Sequence, residues 1–128
     1  MRVNGSIAMK KILILEDEEV LGRIYKKKLE AAGFEVLWAK TVEETEDAVQ
    51  HFPADVLLLD HGIRGHEKAG VELIAQLREI LPDSKIIMLS NYSEIQLQEK
   101  AKREGADAYF VKINTPPQVL IKYIEGLF

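Results

Sequence analysis

A chain of 128 residues with 47% hydrophobic and 30% charged side chains fits one globular domain, long enough to bury a core. Zero cysteines exclude disulfides and thiolate metal sites, and no apolar stretch reaches the roughly 20 residues of a membrane span or forms an export signal, so a cytoplasmic protein is expected. A net charge of -4 without a basic stripe argues against direct nucleic-acid binding, which rests on cationic side chains.

Residues 1–9 lack periodicity and carry Asn4-Gly5-Ser6, so they read as a flexible leader or linker, with one domain over 10–128. From there apolar runs of strand length alternate with segments of helical period, the pattern of βα units and a parallel sheet. The first strand covers 12–15. A helix follows Asp17, with Leu21, Ile24, Tyr25 and Leu29 on one face, and Gly33 stops it by taking a positive φ. The second strand, 34–39, carries Phe34 and Trp38, both expected to pack against a helix. Thr41 and Glu44 form a capping box opening a second helix as far as His51, and Phe52-Pro53 breaks it. The third strand, 54–59, is nearly all apolar, as expected when helices cover both faces of a sheet. A third helix spans 70–81 before Pro82, and the fourth strand is 86–89. Ser93 with Gln96 predicts a capped fourth helix closing at Gly105, and 109–111 is the fifth strand. Thr115-Pro116 reads as an N-cap and first helical position, followed by a face of Val119, Leu120, Tyr123, Ile124 and Leu127. No repeat or low-complexity segment interrupts the pattern.

Four of the strand runs end in residues suited to phosphoryl chemistry. The first delivers Glu16 and Asp17, the third Asp60, the fourth Ser90 and the fifth Lys112. In a parallel α/β sheet the carboxyl ends of the strands share one edge, where ligands bind. An aspartate can attack a phosphoryl group to give an acyl phosphate, but both partners are anionic, so cations must be placed beforehand. Three carboxylates together call for a hard divalent ion, and oxygen-only ligands favour Mg²⁺ or Mn²⁺ over zinc. Lys112 would neutralise a phosphoryl oxygen and the Ser90 hydroxyl would donate to another.

The runs Ile12-Leu13-Ile14-Leu15-Glu16-Asp17-Glu18, Asp55-Val56-Leu57-Leu58-Leu59-Asp60, Lys85-Ile86-Ile87-Met88-Leu89-Ser90 and Gly105-Ala106-Asp107-Ala108-Tyr109-Phe110-Val111-Lys112 resemble the response-regulator receiver domain of two-component signalling. The resemblance covers about 10–128. It implies a flavodoxin-like, doubly wound α/β fold: a five-stranded parallel sheet in order 2-1-3-4-5 with five helices. It implies Asp60 as the phosphoacceptor, Asp17 as the main metal carboxylate, Glu16 as a metal ligand through water, and a backbone carbonyl from Gly62. Ser90 is then the switch hydroxyl, Lys112 the family's lysine, and Tyr109 the aromatic that swings inward. The implied partners are a histidine kinase or histidine phosphotransfer protein upstream, and an output domain or protein on the face of the fourth helix, fifth strand and fifth helix. Catalysis is confined to the chain's own phosphorylation and slow autodephosphorylation; it is not an enzyme in the usual sense. Homodimerisation through the fifth-helix face stays open, as does the choice between a free-standing regulator and a piece of a longer one.

The chain departs from the family pattern at four places. The loop after Asp60 is two residues longer and carries Ile63, Arg64, His66, Glu67 and Lys68. Ile113 follows Lys112 where proline is usual, Asn91 follows Ser90 where a small residue is usual, and Gly62 and Tyr92 occupy positions that tune autodephosphorylation. These departures motivate an alternative: an atypical receiver that binds partners without phosphorylation. A haloacid-dehalogenase-type phosphatase wants a second acid at Gly62, and a flavodoxin wants a phosphate-cradling loop where Glu16-Asp17-Glu18-Glu19 would repel phosphate. A transition-metal site using His61 and His66 is disfavoured, since loop histidines are more often solvated than ligating.

Overall fold

The computed structural model describes residues 9–60 and 69–128, with residues 69–72 described by backbone alone. Residues 1–8 of the expected 1–9 leader, and the positions His61, Gly62, Ile63, Arg64, His66, Glu67 and Lys68, lie outside the described residues. Five strands, β1 (Lys11–Leu15), β2 (Glu35–Ala39), β3 (Val56–Asp60), β4 (Lys85–Ser90) and β5 (Ala108–Val111), alternate with five helices. The helices are α1 (Glu19–Ala31), α2 (Val42–Ala48), α3 (Ala69–Ile80), α4 (Ile95–Glu104) and α5 (Pro117–Glu125), with a 3₁₀ turn at Lys112–Asn114. All four strand pairings are parallel and the order is β2-β1-β3-β4-β5, the flavodoxin-like order expected.

Strand alternation explains why the central strands are apolar throughout. Leu13, Leu15, Leu57, Leu59, Ile86 and Met88 point into a core roofed by α2, α3 and α4, which contribute Val42, Ala48, Ile74, Leu77 and Ala101. Their neighbours Ile12, Ile14, Val56, Leu58, Ile87 and Leu89 point the other way, onto Tyr25 and Leu29 of α1 and Leu120, Ile121 and Ile124 of α5. A one-residue slip in any central strand would exchange the two sets, so register is strongly specified.

The helix ends agree with expectation in part. Gly33 takes φ 101° just past the C-cap of α1. Its N–H donates to the Glu30 carbonyl and that of Phe34 to Leu29, a Schellman closure. Thr41 caps α2 by accepting from the Glu44 N–H, while the Glu44 carboxylate accepts from the N–H of Lys40, one residue beyond the Thr41 N–H that would close the box. Ser93 does not cap α4: the helix starts at Ile95 after Glu94, with no side-chain cap. The Tyr92 peptide is held at both ends, its N–H on Ser90 Oγ and its carbonyl by the Tyr109 hydroxyl, which delays the helix. Thr115 does not cap α5 either, because Pro116 is itself followed by Pro117. The residue before a proline is barred from helical geometry, so Pro116 stays extended (φ -59°, ψ 152°) and the helix begins at Pro117. The Thr115 hydroxyl donates instead to the Val111 carbonyl.

Two amphipathic faces pack as expected through Leu21, Tyr25 and Leu29 in the first and Leu120, Tyr123, Ile124 and Leu127 in the last, and depart from expectation at single positions. In α1, Ile24 is exposed and Gly22 buried; in α5, Val119 is exposed and Ile121 buried. Trp38 of β2 packs against Gly22 so closely that there is no room for a Cβ.

Candidate functional site

The sheet order places a topological switch point between β1 and β3, since the chain runs outward from β1 to β2 and then crosses back to β3. Ligands of doubly wound sheets bind beyond the carboxyl ends of the strands at such a point. Glu16 and Asp17 leave β1 there and Asp60 is the last residue of β3. The pairing of Asp60 with Leu89, and of Ser90 with Val111, brings Ser90 and Lys112 to the same edge.

Glu16, Asp17 and Asp60 each present a carboxylate oxygen to one cluster in which these atoms lie within 4.8 Å of one another. The Lys112 ammonium reaches in from β5, 3.0 Å from Asp60 Oδ1 and 3.2 Å from Glu16 Oε1. Glu16 and Lys112, 96 positions apart in the chain, therefore meet in one volume beside Asp60. Glu16 is almost fully buried, yet all its polar groups are occupied. Its N–H donates to the Ala39 carbonyl and its own carbonyl accepts from Trp38 Nε1 at 2.8 Å. Of its carboxylate oxygens, Oε1 takes Lys112 and Oε2 takes the Glu18 N–H at 3.1 Å.

The electrostatics follow from burial. Burial and the neighbouring Glu16 carboxylate push the Asp60 carboxyl up to about 8, with Lys112 opposing them. For Lys112 burial favours the neutral amine, but the Asp60 and Glu16 charges outweigh it and hold the group above its ordinary value. Among the described residues, three carboxylates face one ammonium and, fully ionised, carry two negative charges in excess. That excess and the all-oxygen donor set fit a divalent metal ion, which the cluster could hold; no histidine joins it among the described residues.

On the far side of Asp60, the Ser90 hydroxyl accepts the Tyr92 N–H at 3.0 Å. Tyr109 is half-buried against the core cluster to which α4 contributes Ala101, and its hydroxyl donates to the Tyr92 carbonyl at 2.8 Å. Burial raises the Tyr109 phenol above its ordinary value, a hydrogen bond with Ser90 works against this, and Glu94 adds to it. Ser90, Tyr92 and Tyr109 thus form one connected unit beside Asp60. The Lys112–Ile113 peptide is trans and Ile113 is 86% exposed, so the missing proline leaves the lysine in place. Gly62, His61 and His66 lie outside the described residues. The sequence reading assigned Trp38 to packing alone; nothing in strand alternation signals that its indole N–H meets the Glu16 carbonyl.

A family model described as the response regulator receiver domain matches residues 12–125. The phosphate regulon transcriptional regulatory protein PhoB of Rhizobium meliloti is 35% identical over 115 residues, covering 88% of this chain and 49% of that protein. The alginate biosynthesis transcriptional regulatory protein AlgB of Pseudomonas aeruginosa is 28% identical over 117 residues, 91% of this chain and 26% of that one. The chain thus spans about half or less of these relatives. Among solved structures, a CheY-like receiver domain protein from Methanospirillum hungatei JF-1 superposes with a TM-score of 0.85 at 27% identity, covering 93% of each chain. A response regulator from Burkholderia pseudomallei, determined with a phosphorylated aspartic acid, calcium ion and citrate, gives a TM-score of 0.76 at 25% identity, covering 91% of this chain and 71% of that one.

Proposed function

The chain belongs to the response regulator receiver domain family of two-component signalling, and from that premise we propose that it is a phosphoacceptor in which Asp60 takes a phosphoryl group from a phosphohistidine. The donor is a histidine kinase or a histidine phosphotransfer protein. The Asp60 carboxylate oxygen attacks phosphorus as the phosphorus–nitrogen bond of the donor breaks, leaving an acyl phosphate on Asp60 and a histidine that picks up a proton. Lys112, already 3.0 Å from Asp60, compensates charge on the incoming phosphoryl oxygens. Ser90 donates its hydroxyl to another of these oxygens.

Asp17, Asp60 and Glu16 would hold Mg²⁺, with Mn²⁺ as a substitute and the Gly62 carbonyl as a further ligand; hard oxygen donors suit these ions. When bound, the cation supplies the positive charge that lets two anions approach. The Burkholderia relative, whose structure carries a phosphorylated aspartic acid and a calcium ion, supports both assignments.

Drawing Ser90 toward the phosphoryl group releases its bond to the Tyr92 N–H, and with it the peptide that Tyr109 holds from the other side. The change reaches the face of α4, β5 and α5, where an output domain or partner protein reads it. The domain works in the cytoplasm, binds no nucleic acid itself, and homodimerises, if at all, through α5. The observation that carries this reading is the single ammonium shared by Asp60 and Glu16 at the switch point. It also weighs against a phosphorylation-independent module, since the altered residue after Lys112 has not displaced the lysine. Titration with Mg²⁺ and a beryllofluoride phosphoryl mimic tests it. Amide resonances of Asp60, Ser90, Tyr92, Tyr109 and Lys112 should shift together, whereas unchanged spectra at saturating mimic would refute it.

A further inference from the structure

We propose that Trp38 is a positioning residue for the cation site: its indole N–H holds the Glu16–Asp17 peptide in the orientation that brings both carboxylates into one cluster. The inference rests on the proposed metal role of that cluster and concerns a residue which that role does not itself include.

Successive side chains of an extended strand point to opposite faces. Glu16 and Asp17 are successive, yet both deliver a carboxylate oxygen to the same cluster with Asp60. The chain must therefore leave strand geometry at the peptide that joins them. The β1–β2 register ends at Leu15 opposite Ala39, and the Glu16 N–H makes the last ladder bond, to the Ala39 carbonyl. The next group along, the Glu16 carbonyl, accepts from Trp38 Nε1 at 2.8 Å in place of a ladder partner. That carbonyl belongs to the peptide plane between the two acids, so the indole bond sets the plane's rotation and with it the separation of the carboxylates.

The indole is itself fixed. Its ring lies on Gly22 of α1 so closely that a Cβ there would overlap it. Lys40 covers the ring from outside, its Nζ 4.9 Å from the ring centroid, and pairs with Glu19 at 3.0 Å. A tryptophan packed only for its apolar area would need neither the donor geometry nor a glycine opposite. Outer-shell partners that orient metal ligands commonly change affinity by about 10–100-fold when removed. A bond to the backbone of the ligand, several bonds further from the ion than a bond to its carboxylate, belongs at the low end of that range.

Calorimetric titration of the full chain with Mg²⁺, paired with thermal melts in EDTA, tests the role. Trp38→Phe keeps an aromatic side chain on β2 but removes the N–H together with the part of the indole that lies over Gly22. It should weaken Mg²⁺ binding about tenfold while the cation-free melting temperature falls by only a few degrees. Gly22→Ala improves helix propensity but displaces the indole, and should weaken Mg²⁺ to a similar degree; it carries the test if Trp38→Phe does not fold. Wild-type Mg²⁺ affinity retained in Trp38→Phe, whatever its melting temperature, reduces Trp38 to packing and overturns the proposal. A wild-type chain that binds no Mg²⁺ would instead overturn the cation site itself, an outcome distinguishable from the first.

Discussion

Asp60 lies against one ammonium and a buried carboxylate, and its own burial lifts its carboxyl from an ordinary 3.8 to about 8. Between those values the folded chain retains a proton that the unfolded chain has lost, so the cation-free protein loses stability as pH rises through that window. Asp60→Asn removes the titrating group. It should flatten the pH dependence of the cation-free melting temperature between about pH 5 and 8, and raise that temperature at the alkaline end. Melts in EDTA across this range check both. Lys112 has the opposite character: it is the cation that the Asp60 and Glu16 carboxylates share. Lys112→Ala strands two buried carboxylates above about pH 8, where Asp60 is ionised, and should there cost about 3 kcal/mol, the low end for breaking a buried ion pair, as read by urea denaturation. That cost should shrink toward acid pH, where Asp60 holds its proton in either protein. The residue types at the strand ends were readable from the chain because each follows an apolar run. The indole bond to Glu16 was not, because a hydrogen bond from a side chain to a distant backbone carbonyl leaves no periodic trace.

At the scale of single elements, local chemistry decides where helices stop and tertiary contacts decide where two of them start. Gly33 ends α1 at φ 101°, and no atom lies within 4 Å of where a Cβ would stand. Gly33→Ala therefore meets no clash and should cost only the left-handed backbone penalty, about 1–2 kcal/mol, measurable by chemical denaturation. Ser93 and Thr115 both carried good cap signatures and both were passed over. Tyr109 draws the Tyr92 carbonyl away from the path a Ser93 cap would need, and a second proline forbids helical geometry at Pro116. The first of these depends on a residue 17 positions away and was hidden in the sequence; the second was present in the Pro116-Pro117 pair. The exposure of Ile24 has a similar tertiary origin, since Trp38 packs on Gly22 and makes that glycine a buried position of α1.

Across the whole molecule, alternating runs of strand length and helical period were enough to indicate a parallel α/β sheet, while the order β2-β1-β3-β4-β5 came through the family resemblance and is what the structure contains. The edge opposite the site is held by its own polar network. Arg78 at the end of α3 donates to the carbonyls of Pro82, Ser84 and Gly105 and to the Asp107 carboxylate, tying α3 to the end of α4 and the start of β5. Arg78→Ala should destabilise the chain by about 1–3 kcal/mol through carbonyls left unsatisfied, with faster amide exchange around Gly105 and Asp107 and no loss of Mg²⁺ binding at the other edge. Among the described residues, the acidic edge gathers more like charge than the Lys112 ammonium balances, and phosphoryl transfer would use that imbalance. Mass spectrometry of peptides after incubation with acetyl phosphate, with and without Mg²⁺, tests this most directly. One phosphoryl group should appear on the peptide containing Asp60, only with Mg²⁺, and should vanish in Asp60→Asn; an unmodified Asp60 under saturating donor and Mg²⁺ would contradict it.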